Sequence, residues 1–125
     1  MPIRTGVDVT SISRVEELLD KYGEHFKQRF FSLPEVDYAE SRADTGASYA
    51  GLWAAKEAVF KTLGKGKRWN DVIIHHEASG RPRVEVTERL INEPYVPIPP
   101  EADWDCSITH DGGIAVATAA CVWGV

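Results

Sequence analysis

The chain has 125 residues, of which 43% are hydrophobic and 26% charged, which is typical of one globular domain that buries its core without metals or disulfides. The net charge of −5 argues against general binding of nucleic acid. Neither a basic-then-apolar leader nor a membrane-length apolar run occurs, so the sequence predicts a cytoplasmic protein that does not enter a membrane.

The N-terminal part of the chain predicts a strand followed by a helix. Apolar residues alternate from Ile3 to Val9, and a helix is expected from about Ser13 to Arg29, with Gly23 as a point where it divides. One face of this helix carries basic residues and one leucine. They are Arg14, Leu18, Lys21, His25 and Gln28. This face is either a docking surface for an acidic helix or an ordinary solvated face.

A short helix is predicted from Ser32 to about Ser41, and the main helix from about Ala47 to Leu63, before Gly64. Lys56 falls within the apolar face of the main helix, so it should find a partner or a buried anion, unless it extends past the aromatic rings to water. Glu57 and Lys61 lie one turn apart along the edge of that face. They are either part of a site for a metal and a phosphorylated ligand or a solvent-exposed ion pair.

The C-terminal half predicts strands. Val72 to Glu77 and Arg83 to Thr87 fit a pair of strands, and His75 and His76 would point to opposite faces of the first. Trp104 to His110 and Ile114 to Val122 predict a closing hairpin around Asp111-Gly112-Gly113. The loop from Lys65 to Arg68, which follows the main helix, combines glycine with basic residues and could wrap a phosphate. Two cysteines are too few for a disulfide framework, so buried, reduced thiols are expected.

Three motifs at matching separation now resemble one family. They are Gly6-Val7-Asp8, Trp53-Ala54-Ala55-Lys56-Glu57-Ala58-Val59-Phe60-Lys61 and Ser107-Ile108-Thr109-His110. Together they resemble the phosphopantetheinyl transferases, and in length and motif order the small holo-acyl-carrier-protein synthase group. The segment leading into the second motif is also similar to the transferase domains of type I fatty acid synthases. The resemblance extends from Gly6 to about Val122.

The resemblance implies an activity and a fold. The activity is transfer of 4′-phosphopantetheine from coenzyme A to a serine of an apo acyl carrier protein, or of a carrier domain of a fatty acid or polyketide synthase, with release of adenosine 3′,5′-bisphosphate. The fold is an α+β domain spanning residues 1–125, in which an antiparallel sheet packs against the long central helix. The active site would lie between subunits of a homotrimer, with magnesium, or alternatively manganese, as the metal.

The resemblance also implies roles for individual residues. Asp8 and Glu57 match the metal ligands, and Glu57 and Lys61 are the expected catalytic residues. The expected coenzyme A contacts are Asp8, Lys56, Lys61, Gly64, Lys65, Pro82, Arg83 and His110. The expected contacts to the carrier protein are Arg14, Leu18, Lys21 and Arg29.

Two positions depart from the family pattern. Leu52 stands where the small synthases often carry arginine, so a phosphate contact there would have to come from elsewhere, with Lys65, Lys67 and Arg68 as candidates. Asp111 follows the motif histidine, and we hypothesise that it is a third metal ligand; the alternative is an ordinary turn residue. Two rival functions are a metal-dependent hydrolase of nucleotide phosphoanhydrides and a carrier-binding module without catalysis.

Overall fold

A three-stranded antiparallel sheet packed against a 19-residue helix forms the centre of the molecule. The computed structural model describes residues 2–64, 68–94, 96 and 98–124. In chain order the elements are β1 (Ile3–Ser11), α1 (Ile12–Tyr22), α2 (Glu24–Phe30), α3 (Leu33–Glu40), α4 (Thr45–Leu63), β2 (Val72–His76), β3 (Pro82–Val86), α5 (Glu88–Ile91), β4 (Asp103–Asp111) and β5 (Ile114–Val122). The α+β expectation, with an antiparallel sheet on a long helix, is confirmed.

The main sheet has the order β1-β5-β4, and β2 and β3 form a separate hairpin. The inward residues of β5 are small and buried: Ala115, Ala117, Ala119 and Cys121. Side chains alternate along a strand, so the residues between these inward ones point to the outer face of the sheet. On that outer face Ile3, Val7, Val9 and Ile114 are 41% to 66% exposed. The outer face therefore carries exposed apolar side chains that no part of the described chain covers.

Two glycines let α4 approach the sheet closely. A Cβ added to Gly6 would lie 2.0 Å from the carbonyl oxygen of Ala58, and one added to Gly51 would lie 2.9 Å from Cγ2 of Ile108. Each distance is shorter than an ordinary contact with a Cβ, so neither position has room for a side chain. Helix α4 thus lies across the inner face from β1 to β4.

Most predicted elements are confirmed, although their observed first and last residues differ from the predicted ones by a few positions. Gly23 adopts a φ of 51° and separates α1 from α2. Ser32 and Glu35 form a reciprocal capping box at the start of α3. Gly112 and Gly113 turn the closing hairpin with positive φ angles. The segment after Thr87 forms the short helix α5.

The two cysteines are buried and unpaired. Burial raises the pKa of Cys106 to about 12 and that of Cys121 to about 11, so both thiols are protonated at neutral pH. The helices of the described ranges include none that is both long and apolar enough to cross a bilayer.

Candidate active site

The close approach at Gly6 brings Asp8 to Lys61, although 53 residues separate them in sequence. The Lys61 ammonium donates to the carbonyl oxygen of Val7 at 2.7 Å and lies 3.5 Å from Oδ1 of Asp8. The Thr10 hydroxyl donates to the other carboxylate oxygen of Asp8 at 2.8 Å, which fixes the orientation of that side chain. Asp8 is 17% exposed, so ligands can still reach its oxygens.

Glu57 lies one helical turn before Lys61 and is half-buried. Residues four apart on a helix are neighbours, so Glu57 and Asp8 both lie next to Lys61. Lys61 is thus in contact with Asp8 of β1 and lies one helical turn from Glu57 of α4. Magnesium prefers one or two carboxylates together with the oxygens of a phosphorylated ligand, so the donor set of Asp8 and Glu57 fits that ion.

Lys56 is not available to a phosphate, and this expectation is wrong. Its side chain is fully buried, and its ammonium donates to Oε1 of Glu35 at 2.7 Å and to the carbonyl oxygen of Phe30 at 2.9 Å. Burial lowers the pKa of Lys56, and the charge of Glu35 opposes that shift. The partner required by a lysine on an apolar face is thus a carboxylate of this chain.

Glu35 is in turn fully satisfied by hydrogen bonds. Its Oε1 also accepts from the backbone N–H of Ser32 at 2.7 Å, and its Oε2 accepts from the backbone N–H of Ile74 at 2.8 Å. One buried carboxylate therefore joins α3, β2 and α4. This role was missed in the sequence, where Glu35 was visible only as a residue of a helix start.

His110 lies in a small cavity of about 180 Å³ between the start of α4 and the β2–β3 hairpin. We call it the His110 cavity, and its polar lining consists of Arg42, Asp44, Ser48, His76 and His110. The Nε2 atom of His110 lies 3.4 Å from Oδ2 of Asp44. Leu52 also lines this cavity and adds no charge to it.

A second, open cavity of about 770 Å³ runs across the sheet, and we call it the Lys61 cavity. Lys61 lines it beside β1, and Arg81 and Pro82 line it beside β4. Pro82 lines the His110 cavity as well, so the two cavities are neighbours. Arg83 lines neither; it follows Pro82 on the opposite face of β3, where it pairs with His75. The expected contact from Arg83 is therefore not supported, and Arg81 was missed.

The remaining expected contacts lie at the end of α4 and in the loop that follows it. Gly64 ends α4 with a φ of 95° and is exposed, with open space around its Cα. Lys65 and Lys67 lie outside the described residues. Arg68 is exposed at the end of the same loop.

Asp111 does not join Asp8 in one protomer. It ends β4 at one edge of the sheet, whereas Asp8 lies on β1 at the other edge. By strand alternation Asp111 also points to the outer face, and Asp8 points to the inner face. Within the described ranges, no three side chains of the His, Cys, Asp or Glu type converge on one metal position. The hypothesis of a third ligand is thus contradicted within a single chain.

The predicted docking face contains an apolar groove of about 760 Å³. We call it the α1–α2 groove, and its lining consists of Leu18, Tyr22, His25, Phe26, Gln28, Arg29, Phe30 and Trp53. Arg14 and Lys21 are exposed on the same helical pair. Trp53 precedes Glu57 by one turn of α4, so the groove lies close to that carboxylate.

Comparison with known proteins agrees with this geometry. A model of the 4′-phosphopantetheinyl transferase superfamily matches residues 4–119. A holo-(acyl-carrier-protein) synthase of Sulfurovum sp. is 34% identical over 122 residues, which cover 94% of this chain and 95% of that protein. The Helicobacter pylori synthase in complex with coenzyme A superposes with a TM-score of 0.79 at 27% identity, covering 94% of this chain and 99% of that one. The ACPS–CoA complex of Chronobacterium ammoniagenes superposes with a TM-score of 0.81 at 26% identity over the full length of both chains.

Proposed function

This chain belongs to the 4′-phosphopantetheinyl transferase superfamily, and we propose that it is a holo-(acyl-carrier-protein) synthase. It transfers 4′-phosphopantetheine from coenzyme A to a serine of an apo carrier protein and releases adenosine 3′,5′-bisphosphate. The observation that carries the proposal is the contact of β1 with α4. Through that contact the carboxylate of Asp8 lies 3.5 Å from the ammonium of Lys61, which follows Glu57 by one turn of α4.

Phosphoryl transfer needs an aligned nucleophile and stabilised charge more than covalent help from the protein. Asp8 and Glu57 are the residues that would hold magnesium, or manganese, and the ion would neutralise charge on the pyrophosphate. The Lys61 ammonium binds the same pyrophosphate. The Glu57 carboxylate takes the proton of the serine hydroxyl as the serine oxygen bonds to phosphorus. The bond from that phosphorus to the oxygen of the departing adenosine bisphosphate breaks.

The rest of coenzyme A is proposed to lie along the two neighbouring cavities. The Lys61 cavity offers an open path across the sheet, and Pro82 connects it to the His110 cavity. His110 is proposed as a contact to the nucleotide portion of the donor. Gly64, at the end of α4, is proposed as a further contact, and so is Lys65, the next residue in the sequence.

The α1–α2 groove is the proposed docking site for the carrier. Its apolar lining suits an apolar side chain of an acidic helix, and Arg14, Lys21 and Arg29 supply positive charge around it. Leu18 lies within the groove itself. The carrier is either a free-standing protein or a domain of a fatty acid or polyketide synthase.

We propose a homotrimer, in which the active site lies between protomers. The outer face of the sheet supports this, because Val7 and Val9 are more than half exposed beside the Lys61 cavity. A second copy of the chain packed on the outer face would bury these apolar residues and form one side of the Lys61 cavity. The proposed compartment is the cytoplasm, in keeping with the unpaired thiols of the described chain.

Incubation of the protein with coenzyme A, magnesium and apo carrier protein tests the function, with mass spectrometry of the carrier as readout. We expect the carrier serine to gain one phosphopantetheinyl group. Release of nucleotide with an unmodified carrier would instead identify a hydrolase. A complex with the carrier, with neither nucleotide release nor modification, would identify a binding module.

A further inference from the structure

Thr10 is a buried polar residue of β1 to which the three motifs give no role. It is 8% exposed and lies two residues after Asp8, so both side chains point to the inner face of the sheet. The Thr10 hydroxyl donates a hydrogen bond of 2.8 Å to Oδ2 of Asp8. An ionised carboxylate only accepts hydrogen bonds, so the hydroxyl proton is committed to Asp8. Thr10 is thus in direct contact with a proposed metal ligand.

The two oxygens of the Asp8 carboxylate have donors of different kinds. Oδ2 accepts from Thr10, whose branched side chain is buried and restricted about χ1. Oδ1 lies 3.5 Å from the Lys61 ammonium, beyond the usual length of a hydrogen bond, and that ammonium lies closer to the carbonyl oxygen of Val7, at 2.7 Å. The Lys61 side chain is also 52% exposed. The rigid contact is therefore the one on Oδ2, and Oδ1 is the oxygen that is left for a ligand.

Lys61 is assigned to the pyrophosphate, so it is not free to hold Asp8 when coenzyme A is bound. Among the residues that the structure describes, Thr10 is then the remaining hydrogen-bond donor to the Asp8 side chain. Groups that bond to a metal-ligating carboxylate orient it, and their removal costs about tenfold to a hundredfold in metal affinity. A hydroxyl in this position therefore acts on a metal site without touching the ion.

We propose that Thr10 is a positioning residue for Asp8. Its hydroxyl holds Oδ2 in place, so that Oδ1 is directed at the divalent cation that Asp8 and Glu57 would share. The assignment rests on the proposed function, because it takes Asp8 as a metal ligand. Thr10 contacts neither the cation nor the pyrophosphate, and its whole effect passes through Asp8.

Titration of the full-length protein with Mn²⁺, in the presence of coenzyme A and without carrier, tests this. The electron paramagnetic resonance signal of free Mn²⁺ gives the dissociation constant, and no transfer takes place. T10V keeps a β-branched side chain but loses the hydroxyl, so we expect the dissociation constant for Mn²⁺ to rise about tenfold. T10S retains a hydroxyl donor at the same position and should bind Mn²⁺ as the wild type does.

The matched control is T62V. Thr62 is also buried, and its hydroxyl donates to the carbonyl oxygen of Val59 at 2.7 Å and accepts from Nε1 of Trp104 at 3.1 Å. Neither partner belongs to the metal site. We therefore expect T62V to lower Tm in circular dichroism, while its affinity for Mn²⁺ stays as in the wild type.

The double variant D8N/T10V shows whether Thr10 acts through Asp8, because it should then bind Mn²⁺ no more weakly than D8N alone. Further loss in the double variant, wild-type affinity in T10V, or equal loss in T62V overturns the role of Thr10. So does the absence of Mn²⁺ binding in a wild-type protein that modifies the carrier. All of these results leave the transferase function standing. If the wild-type protein neither binds Mn²⁺ nor modifies the carrier, the proposed function itself fails, and the assignment of Thr10 fails with it.

Discussion

Replacement of Gly6 by alanine should move Asp8 on β1 away from Lys61 on α4. The added Cβ would stand 2.0 Å from the carbonyl oxygen of Ala58 and 3.0 Å from Cβ of Lys61. Contacts between a Cβ and a backbone oxygen below 3.0 Å essentially do not occur, so β1 and α4 must move apart by about 1 Å. The Ala58 oxygen belongs to the backbone of a buried helix and cannot rotate away as a side chain would.

The expected effect on rate is larger than the effect on stability. Misplacement of catalytic groups by about 1 Å costs on the order of a hundredfold in rate. Overpacking of this kind costs about 1–3 kcal/mol of unfolding free energy, which leaves a domain of ordinary stability folded. We therefore expect kcat/KM for carrier modification to fall about a hundredfold in G6A, with a moderate decrease in Tm.

Steady-state transfer to apo carrier, followed by mass spectrometry, measures kcat/KM, and circular dichroism measures Tm. The matched control is G124A, because a Cβ at Gly124 meets no atom within 4 Å and its backbone angle is not positive. Wild-type kcat/KM in G6A, with Tm also unchanged, would refute the argument that close packing at Gly6 sets the distance between Asp8 and Lys61.

Three further predictions concern the subunit contact, the metal and the carrier. V9D places a charge on the exposed outer face, so we expect the trimer to dissociate in light scattering and activity to fall; a trimer of unchanged mass would count against that interface. D8N should raise the magnesium concentration at half-maximal activity by about tenfold or more, whereas D111N should not, and an equal shift in both would restore Asp111 as a ligand. The double variant R14E/K21E should slow carrier association about tenfold at low salt, with coenzyme A binding intact. An association rate that does not change would place the carrier elsewhere.

The sequence predicted the elements whose signals are local. The start and end of α4 follow from a long apolar pattern that closes at Gly64, and the last hairpin follows from two alternating runs around Gly112 and Gly113. Gly23 was readable as a break because a glycine inside a helix is costly unless the chain turns there. Asp8 was found through motif resemblance, whereas the position of Glu57 on α4 left a metal site and a solvent-exposed ion pair both open until the motifs were compared.

Contacts between distant residues could not be predicted in the same way. Lys56 was recognised as needing a partner, but Glu35 lies 21 residues away and no local signal marked it as that partner. Its burial depends on how α3 packs against β2, and hydrophobic periodicity carries no information about that packing. Asp111 does not join Asp8 within one protomer for a related reason. The two residues lie on opposite edges of the sheet because β5 lies between β1 and β4, and local sequence patterns do not reveal that strand order.

The buried pair of Lys56 and Glu35 has a consequence for Glu57, the next residue of α4. Four alanines of α4, Ala50, Ala54, Ala55 and Ala58, are fully buried, and their side chains have no polar group that fixes the rotation of the helix. The ammonium of Lys56 has bonding partners at one orientation only, because Glu35 is itself held by the backbone. Consecutive side chains on a helix differ in direction by about 100°. The contact of Lys56 with Glu35 thus determines the direction in which Glu57 points. A rotation of α4 about its axis would break that contact and turn Glu57 at the same time.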